Sequence, residues 1–257
     1  MGSKKILITG VAGLIGQILS RSLKSIYDVT GVDLVISSEV PTSIVDATKL
    51  EDLASVFSDV DTVIDLAGNP SQFSSWPVVR DNNLNCTYNT FEAAKLSGVK
   101  KVIYASSNHV TGMYEVDPPY SDIVRGLYET MDPSEVPLIS TSMPVRPDGP
   151  YGMGKLFGES AGRYFSDKFD MSVCCLRIGT VNKEDRPIHI RQFATLLAHQ
   201  DLIQLVDLCI QSDHDSSFSV YYGVSNNTWR FWDIGNAERD LGYAPEIDAE
   251  IWKDEFN

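Results

Sequence analysis

The chain has 257 residues, 43% hydrophobic and 22% charged, proportions of a folded globular protein that exclude a disordered or fibrous one. The length accommodates one large α/β domain, or one domain with a small lobe. With 21 Lys and Arg against 35 Asp and Glu, the net charge of −14 speaks against nucleic acid or an anionic membrane as a partner. A small anionic substrate stays open, because one buried Arg can invert the local field.

Lys5–Thr9 (KILIT) is a short apolar run ending at Gly10 and predicts a first strand. Lys4 and Lys5 ahead of it have the outline of a secretory leader, but glycines punctuate the stretch and no small-residue cleavage site follows. Leu14–Ser25 has helical spacing, Asp28–Asp33 (DVTGVD) predicts a strand, Leu50–Phe57 a short helix and Asp61–Ala67 a strand. Asn83–Ser97 reads as a helix ending at Gly98, Lys101–Ala105 (KVIYA) as a strand, Tyr151 to Lys168 as a long helix and Met171–Ile178 as a strand. No apolar run reaches the ~18 residues of a membrane span.

This alternation predicts an α/β fold, a Rossmann-type doubly wound parallel sheet over residues 1–180, with 181–257 as a small, interwoven substrate lobe. Between Gly112 and Pro150 stand Pro118, Pro119, Pro133, Pro137, Pro144 and Pro147, with little periodicity. A connection of that length is either a lid or wall of a substrate pocket or a surface excursion. Cys86, Cys174, Cys175 and Cys209 show no metal-ligand spacing, and the adjacent pair sits in an apolar run. They read as buried hydrophobes of a reducing, cytoplasmic protein, with no metal expected.

Gly10, Gly13 and Gly16 (ITGVAGLIG) follow the first strand and open the first helix. Positions without side chains let a pyrophosphate approach the backbone, and the helix N-terminus offers free N–H groups and positive potential. Leu14 and Ile15 belong to the same turn. Asp33 closes the second strand, where a carboxylate accepts hydrogen bonds from both ribose hydroxyls of an adenosine. It would repel a 2′-phosphate, and Leu34 to Ser38 offer no cation, so NAD is expected rather than NADP. Asp46, with Ala47 beside it, either caps a helix or faces the adenine. Leu66, Ala67 and Gly68 end a strand at the sheet edge where the dinucleotide would pass. Asn83 and Ile178 complete the expected cofactor contacts.

Tyr151 and Lys155 are four residues apart on one helix face. A phenol is a poor base at its ordinary pKa of ~10. A neighbouring ammonium and an oxidised nicotinamide both favour its phenolate, making a general base. Tyr164 and Lys168 repeat the spacing, but thirteen residues later, on a roughly opposite face near the far end of the helix. Ser106-Ser107-Asn108-His109 ends the KVIYA strand at the edge where parallel sheets present ligands. Ser107 is the expected partner for the reacting oxygen and Asn108 a substrate contact. His109 either touches substrate or satisfies local backbone groups.

Taken together, ITGVAGLIG, Asp33, YASSNHVTG, YGMGK, RIGT and the ending LGYAP resemble the extended short-chain dehydrogenase/reductases, the NAD-dependent epimerase/dehydratase group. Within it, ASSNH, RPDGPYGMGKLFGE and VYYGVSNNTWRFW are most similar to uronate dehydrogenases and archaeal NAD-dependent glucose-6-phosphate dehydrogenases. The resemblance implies NAD bound by Gly10, Gly13, Gly16 and Asp33, and catalysis by Ser107, Tyr151 and Lys155. It implies substrate contacts at Ser71, Asn108 and Thr180, with Arg191 holding the acidic group of a sugar and Arg186 and His189 near it.

Cys86 stands where the family has glycine, and the Gly112–Pro150 insertion sides with the sugar-phosphate relatives. The implied reaction is NAD-dependent oxidation of the C1 hydroxyl of an acidic aldose, a hexose 6-phosphate or a hexuronate, to the lactone. The alternatives are a nucleotide-sugar epimerase or dehydratase with tightly held NAD, and a non-catalytic NAD-sensing protein. The resemblance further implies a homo-oligomer joined through the helices near Asn83–Ser97 and Tyr151–Lys168.

Overall fold

Lys5–Thr9 (β1), Asp28–Asp33 (β2), Thr42–Ile44 (β3), Thr62–Asp65 (β4), Lys101–Ser107 (β5), Ser172–Ile178 (β6) and Phe218–Gly223 (β7) form one sheet. Its order is β3-β2-β1-β4-β5-β6-β7 and every neighbouring pair is parallel. This is the computed structural model of the chain, and it describes residues 3–212 and 218–255. The expected Rossmann-type architecture is present, with the strand order reversing beside β1.

Alternate residues of a strand face opposite sides of a sheet, so β1 feeds two cores. Ile6 and Ile8 join Leu19, Leu23, Leu202 and Leu205 on one face. Leu7 joins Phe57, Phe91 and Phe165 on the other. Each such side chain contributes ~1.5–3 kcal/mol when fully buried. All seven residues of β5 and all seven of β6 are buried, which is why their sequences read as continuous apolar runs.

The helix from Pro150 to Phe169 starts with proline in its first turn, where a missing N–H costs nothing, and ends at Asp170 in a left-handed conformation. The helix expected from Asn83 begins earlier: a π-helical turn, Val79–Leu84, leads into Asn85–Leu96. Beyond residue 181, β7 extends the main sheet and the His199–Gln211 helix covers its face.

The Gly112–Pro150 segment stands behind the cleft: Glu115 and Asp148 bond the lining residues Arg191 and His109. Among its described residues none lines the main cleft. Its Tyr120 and Tyr128 find burial against the C-terminal part. Tyr128 stacks on Trp229 at 4.1 Å, Tyr120 tilts against Phe231 at 5.2 Å, and the Ile139 N–H donates to the Phe231 carbonyl at 2.7 Å. The four cysteines are free and buried. No helix among the described residues is long and apolar enough to cross a membrane.

Candidate active site

The register pairs Thr9 with both Val32 and Asp65, Asp65 with Tyr104, and Ser107 with Ile178. The residues that follow or close these strands therefore meet along one carboxyl edge. There they line a cleft of about 910 Å³, ample for a dinucleotide and a small substrate.

At one end lies the glycine turn. Gly10 has φ +69°, and a Cβ there would sit 2.9 Å from the Leu66 carbonyl oxygen. A Cβ on Gly16 would sit 2.5 Å from the Gly10 oxygen, so this glycine lets helix and turn close together. The helix Leu14–Leu23 begins after Gly13 with no side-chain cap and no acid in its first turn. Its leading N–H groups are thus offered to the cleft that Gly13, Leu14 and Ile15 line, as an anion site requires.

Asp33 lines the same end. Its Oδ2 accepts from the Ala12 N–H at 2.9 Å and its Oδ1 from the Leu34 N–H at 2.7 Å. One carboxylate therefore fixes the turn and still has lone pairs for a ribose. Asp46 accepts from Thr48 through the Oγ1 and the backbone N–H, which hold it below the usual carboxylate range. It does not cap a helix, and with Ala47 it lines the cleft. Leu66, Ala67, Gly68 and Ile178 are also in the lining.

Asn83 is not in the lining. Its side-chain oxygen accepts from the Asn69 N–H at 2.9 Å and its nitrogen donates to the Asn69 carbonyl at 3.0 Å, so it shapes the loop that carries Ser71, which is in the lining. The uncapped helix, the strand-end carboxylate and the side-chain-free turn together fit NAD. Lys155 and Arg191 are the Lys and Arg side chains among the described residues of the lining, and neither stands in the run after Asp33 to meet a 2′-phosphate.

At the other end, Tyr151 and Lys155 enter from the first turns of the Pro150–Phe169 helix. Lys155 Nζ donates to the Ala105 carbonyl at 2.7 Å and lies 5.7 Å from the Tyr151 ring centre. Tyr164 is exposed, outside the cleft, with Lys168 over its ring.

The two serines at the end of β5 separate cleanly. Ser106 Oγ donates to Glu159 Oε1 at 2.6 Å, and Glu159 is locked to Arg177 by two 2.9 Å bonds. Ser107 is held only by local contacts, donating to Asn108 Oδ1 at 3.3 Å and accepting from the His109 N–H at 3.2 Å. Asn108 Nδ2 is buried without a hydrogen-bond partner among the described residues, a donor left over in the wall of the cleft. His109 packs edge-on to Tyr151, ring centres 5.8 Å apart, and its Nδ1 meets Asp148 Oδ2 at 2.6 Å.

Cys86 is in the lining, and burial pushes its thiol up to about 12, so it contributes bulk rather than a nucleophile. Thr180, His189 and Arg191 are in the lining, whereas Arg186 turns away to Glu255. Asp65, Glu115 and Asp148 are three site neighbours the sequence reading does not name. Asp148, three residues before Tyr151, was within reach of its motif, whereas Glu115 has no local signal.

The model of the NAD dependent epimerase/dehydratase family matches residues 6–189. The chain belongs to that family, and its cofactor is NAD. It is 32% identical to the NAD-dependent glucose-6-phosphate dehydrogenase of Haloferax volcanii, over 94% of this chain and 92% of that one. It is 30% identical to the L-arabinose 1-dehydrogenase (NAD(P)(+)) of the same organism, over 94% and 96%. A solved mutated uronate dehydrogenase superposes with a TM-score of 0.83 at 30% identity, covering 98% of this chain and 85% of the other.

Proposed function

We propose that this chain oxidises the C1 hydroxyl of a cyclic aldose to the lactone. The observation that carries the reading is the meeting of Tyr151, Lys155 and Ser107 in the cleft that also holds the glycine turn and Asp33. Relatives named as dehydrogenases of glucose 6-phosphate, arabinose and uronate support it.

When bound, NAD supplies the hydride acceptor. Tyr151 Oη takes the proton of the C1 hydroxyl as general base. Ser107 Oγ hydrogen-bonds that oxygen and turns it toward the phenol. The Lys155 ammonium, oriented by the Ala105 carbonyl, stabilises negative charge on the phenolic oxygen and holds the nicotinamide ribose. Asn108, which lines the cleft, is a further contact for the sugar. Ser71, His109 and Thr180 bound the sugar, and contacts remote from C1 hold it in register for transfer. The acidic aldose expected from Arg191 meets an arginine that already has a carboxylate partner in Glu115, so that pair decides the charge class. A second copy of this chain meeting the Asn85–Leu96 and Pro150–Phe169 helices, where Tyr88, Met153 and Phe157 are exposed, belongs to the same reading, and light scattering tests it.

The test is NADH absorbance with NAD⁺ and a panel of neutral, uronic and phosphorylated aldoses. Steady NADH formation with stoichiometric lactone is the expected result. Protein that carries tightly held NAD and produces no net NADH would replace this reading with an epimerase or dehydratase.

A further inference from the structure

Arg191 and Glu115 form a forked ion pair. Arg191 Nε donates to Glu115 Oε2 and Nη2 to Glu115 Oε1, both at 2.6 Å. Arg191 is in the cleft lining and Glu115 is not, and the Glu115 side chain is only 14% exposed. The carboxylate thus occupies the side of the guanidinium best shaped for a carboxylate or phosphate. The remaining nitrogen, Nη1, lies 3.4 Å from both the Thr180 and Thr195 hydroxyls, which bond each other at 2.8 Å. This corner therefore presents hydroxyls and the edge of a neutral pair. Lys155 keeps its charge, but its ammonium is tied to the Ala105 carbonyl beside Tyr151.

Charge makes the consequence directional. An anion brought to Arg191 is attracted by the guanidinium and repelled by the carboxylate directly behind it, in a site partly shielded from water. It would also have to shed its hydration for a cation whose best donors are taken. A sugar hydroxyl meets no such opposition and accepts from Nη1 or exchanges hydrogen bonds with the threonines. Glu115 arrives on the Asn108–Val116 helical segment that directly follows Ser107, so the charge balance is built by the same stretch of chain that presents the catalytic serine.

We propose that Glu115 is a positioning residue that sets substrate charge class: by neutralising and orienting Arg191, it makes the site select an uncharged aldose over a hexuronate or a hexose 6-phosphate. This rests on the aldose dehydrogenase reading.

The experiment compares kcat and KM for NADH formation by wild type, Glu115→Gln and Glu115→Asp on L-arabinose, D-glucose, D-glucuronate and glucose 6-phosphate. Wild type should favour a neutral sugar in kcat/KM by ~10-fold or more, the scale of one such charge contact. Glu115→Gln keeps the shape and removes the charge. It should move the anionic-to-neutral ratio at least tenfold toward the anions, through KM rather than kcat, while Glu115→Asp stays near wild type.

A wild type that prefers either anion, or a Glu115→Gln ratio that is unchanged or reversed, overturns the assignment while leaving the dehydrogenase standing. No NADH from any aldose overturns both. If Glu115→Gln fails to fold, as judged by its melting curve, the wild-type preference alone decides.

Discussion

The Lys155 ammonium lies 5.7 Å from the ring centre of Tyr151, one helical turn away, and is tethered at 2.7 Å to the carbonyl of Ala105 at the end of β5. The tether matters because a lysine side chain otherwise samples many rotamers. Fixing it to the strand that also ends in Ser107 makes base, ammonium and serine parts of one rigid corner.

The two adjacent serines should separate by phenotype. Ser107→Ala removes the hydroxyl proposed to orient the reacting oxygen and should lower kcat by roughly 10²-fold with the melting temperature nearly unchanged. Ser106→Ala leaves Glu159 short of a donor and should lower stability by ~1–3 kcal/mol while sparing most of kcat. Parallel kinetics and melting curves check both, and the opposite assignment would appear as reversed phenotypes.

Glu159 and Arg177 form a buried pair joined to Tyr222, whose hydroxyl takes part in a 3.2 Å bond from Arg177 and a 3.0 Å bond with Thr111. Glu159→Ala leaves the guanidinium charge buried and uncompensated, and should cost ~3–5 kcal/mol. Glu159→Leu combined with Arg177→Met should recover most of that loss. Urea unfolding of the single and double variants measures both.

Asp65 gives a pH signature. Burial pushes its carboxyl up to about 6 from 3.8, against the Thr9 and Thr90 hydroxyls and the Lys155 ammonium, which favour the charged form. A folded-state value above the unfolded one means that the folded chain binds the proton more tightly. The stability this confers is complete below about pH 4 and is lost as pH rises through about 6, a loss of about 3 kcal/mol for a shift of this size. Asp65→Asn stays neutral and keeps an acceptor for the Thr9 hydroxyl. Its melting temperature should match wild type near pH 4 and exceed it at pH 7.5; a difference that does not grow with pH would contradict this account.

What the sequence made legible follows burial and locality. β1, β2, β4, β5 and β6 stood out because most are apolar runs covered on both faces. β3 is three residues, Thr42–Ile44, largely exposed and without an apolar run. β7 mixes half-buried and buried positions at the sheet edge and shows no clean alternation. The His199–Gln211 helix was missed, although Leu202, Leu205, Val206, Cys209 and Ile210 recur at helical spacing.

The cofactor turn and the Tyr151–Lys155 pair were legible because each lies within one local motif. Asn83 bonds the Asn69 backbone and lies just behind the lining, a placement its motif alone does not show. Glu115 was hidden because its partner lies 76 residues away in sequence and the short helical segment that carries it shows no periodic signal.

The central claim is that the Tyr151 phenol is the base for oxidation at C1. The direct measurement is NADH production by Tyr151→Phe beside NAD binding followed by fluorescence. Turnover should fall by roughly 10³-fold, while the NAD dissociation constant changes little, because the ring and Lys155 remain in place. A variant that retains near-wild-type turnover would contradict the account.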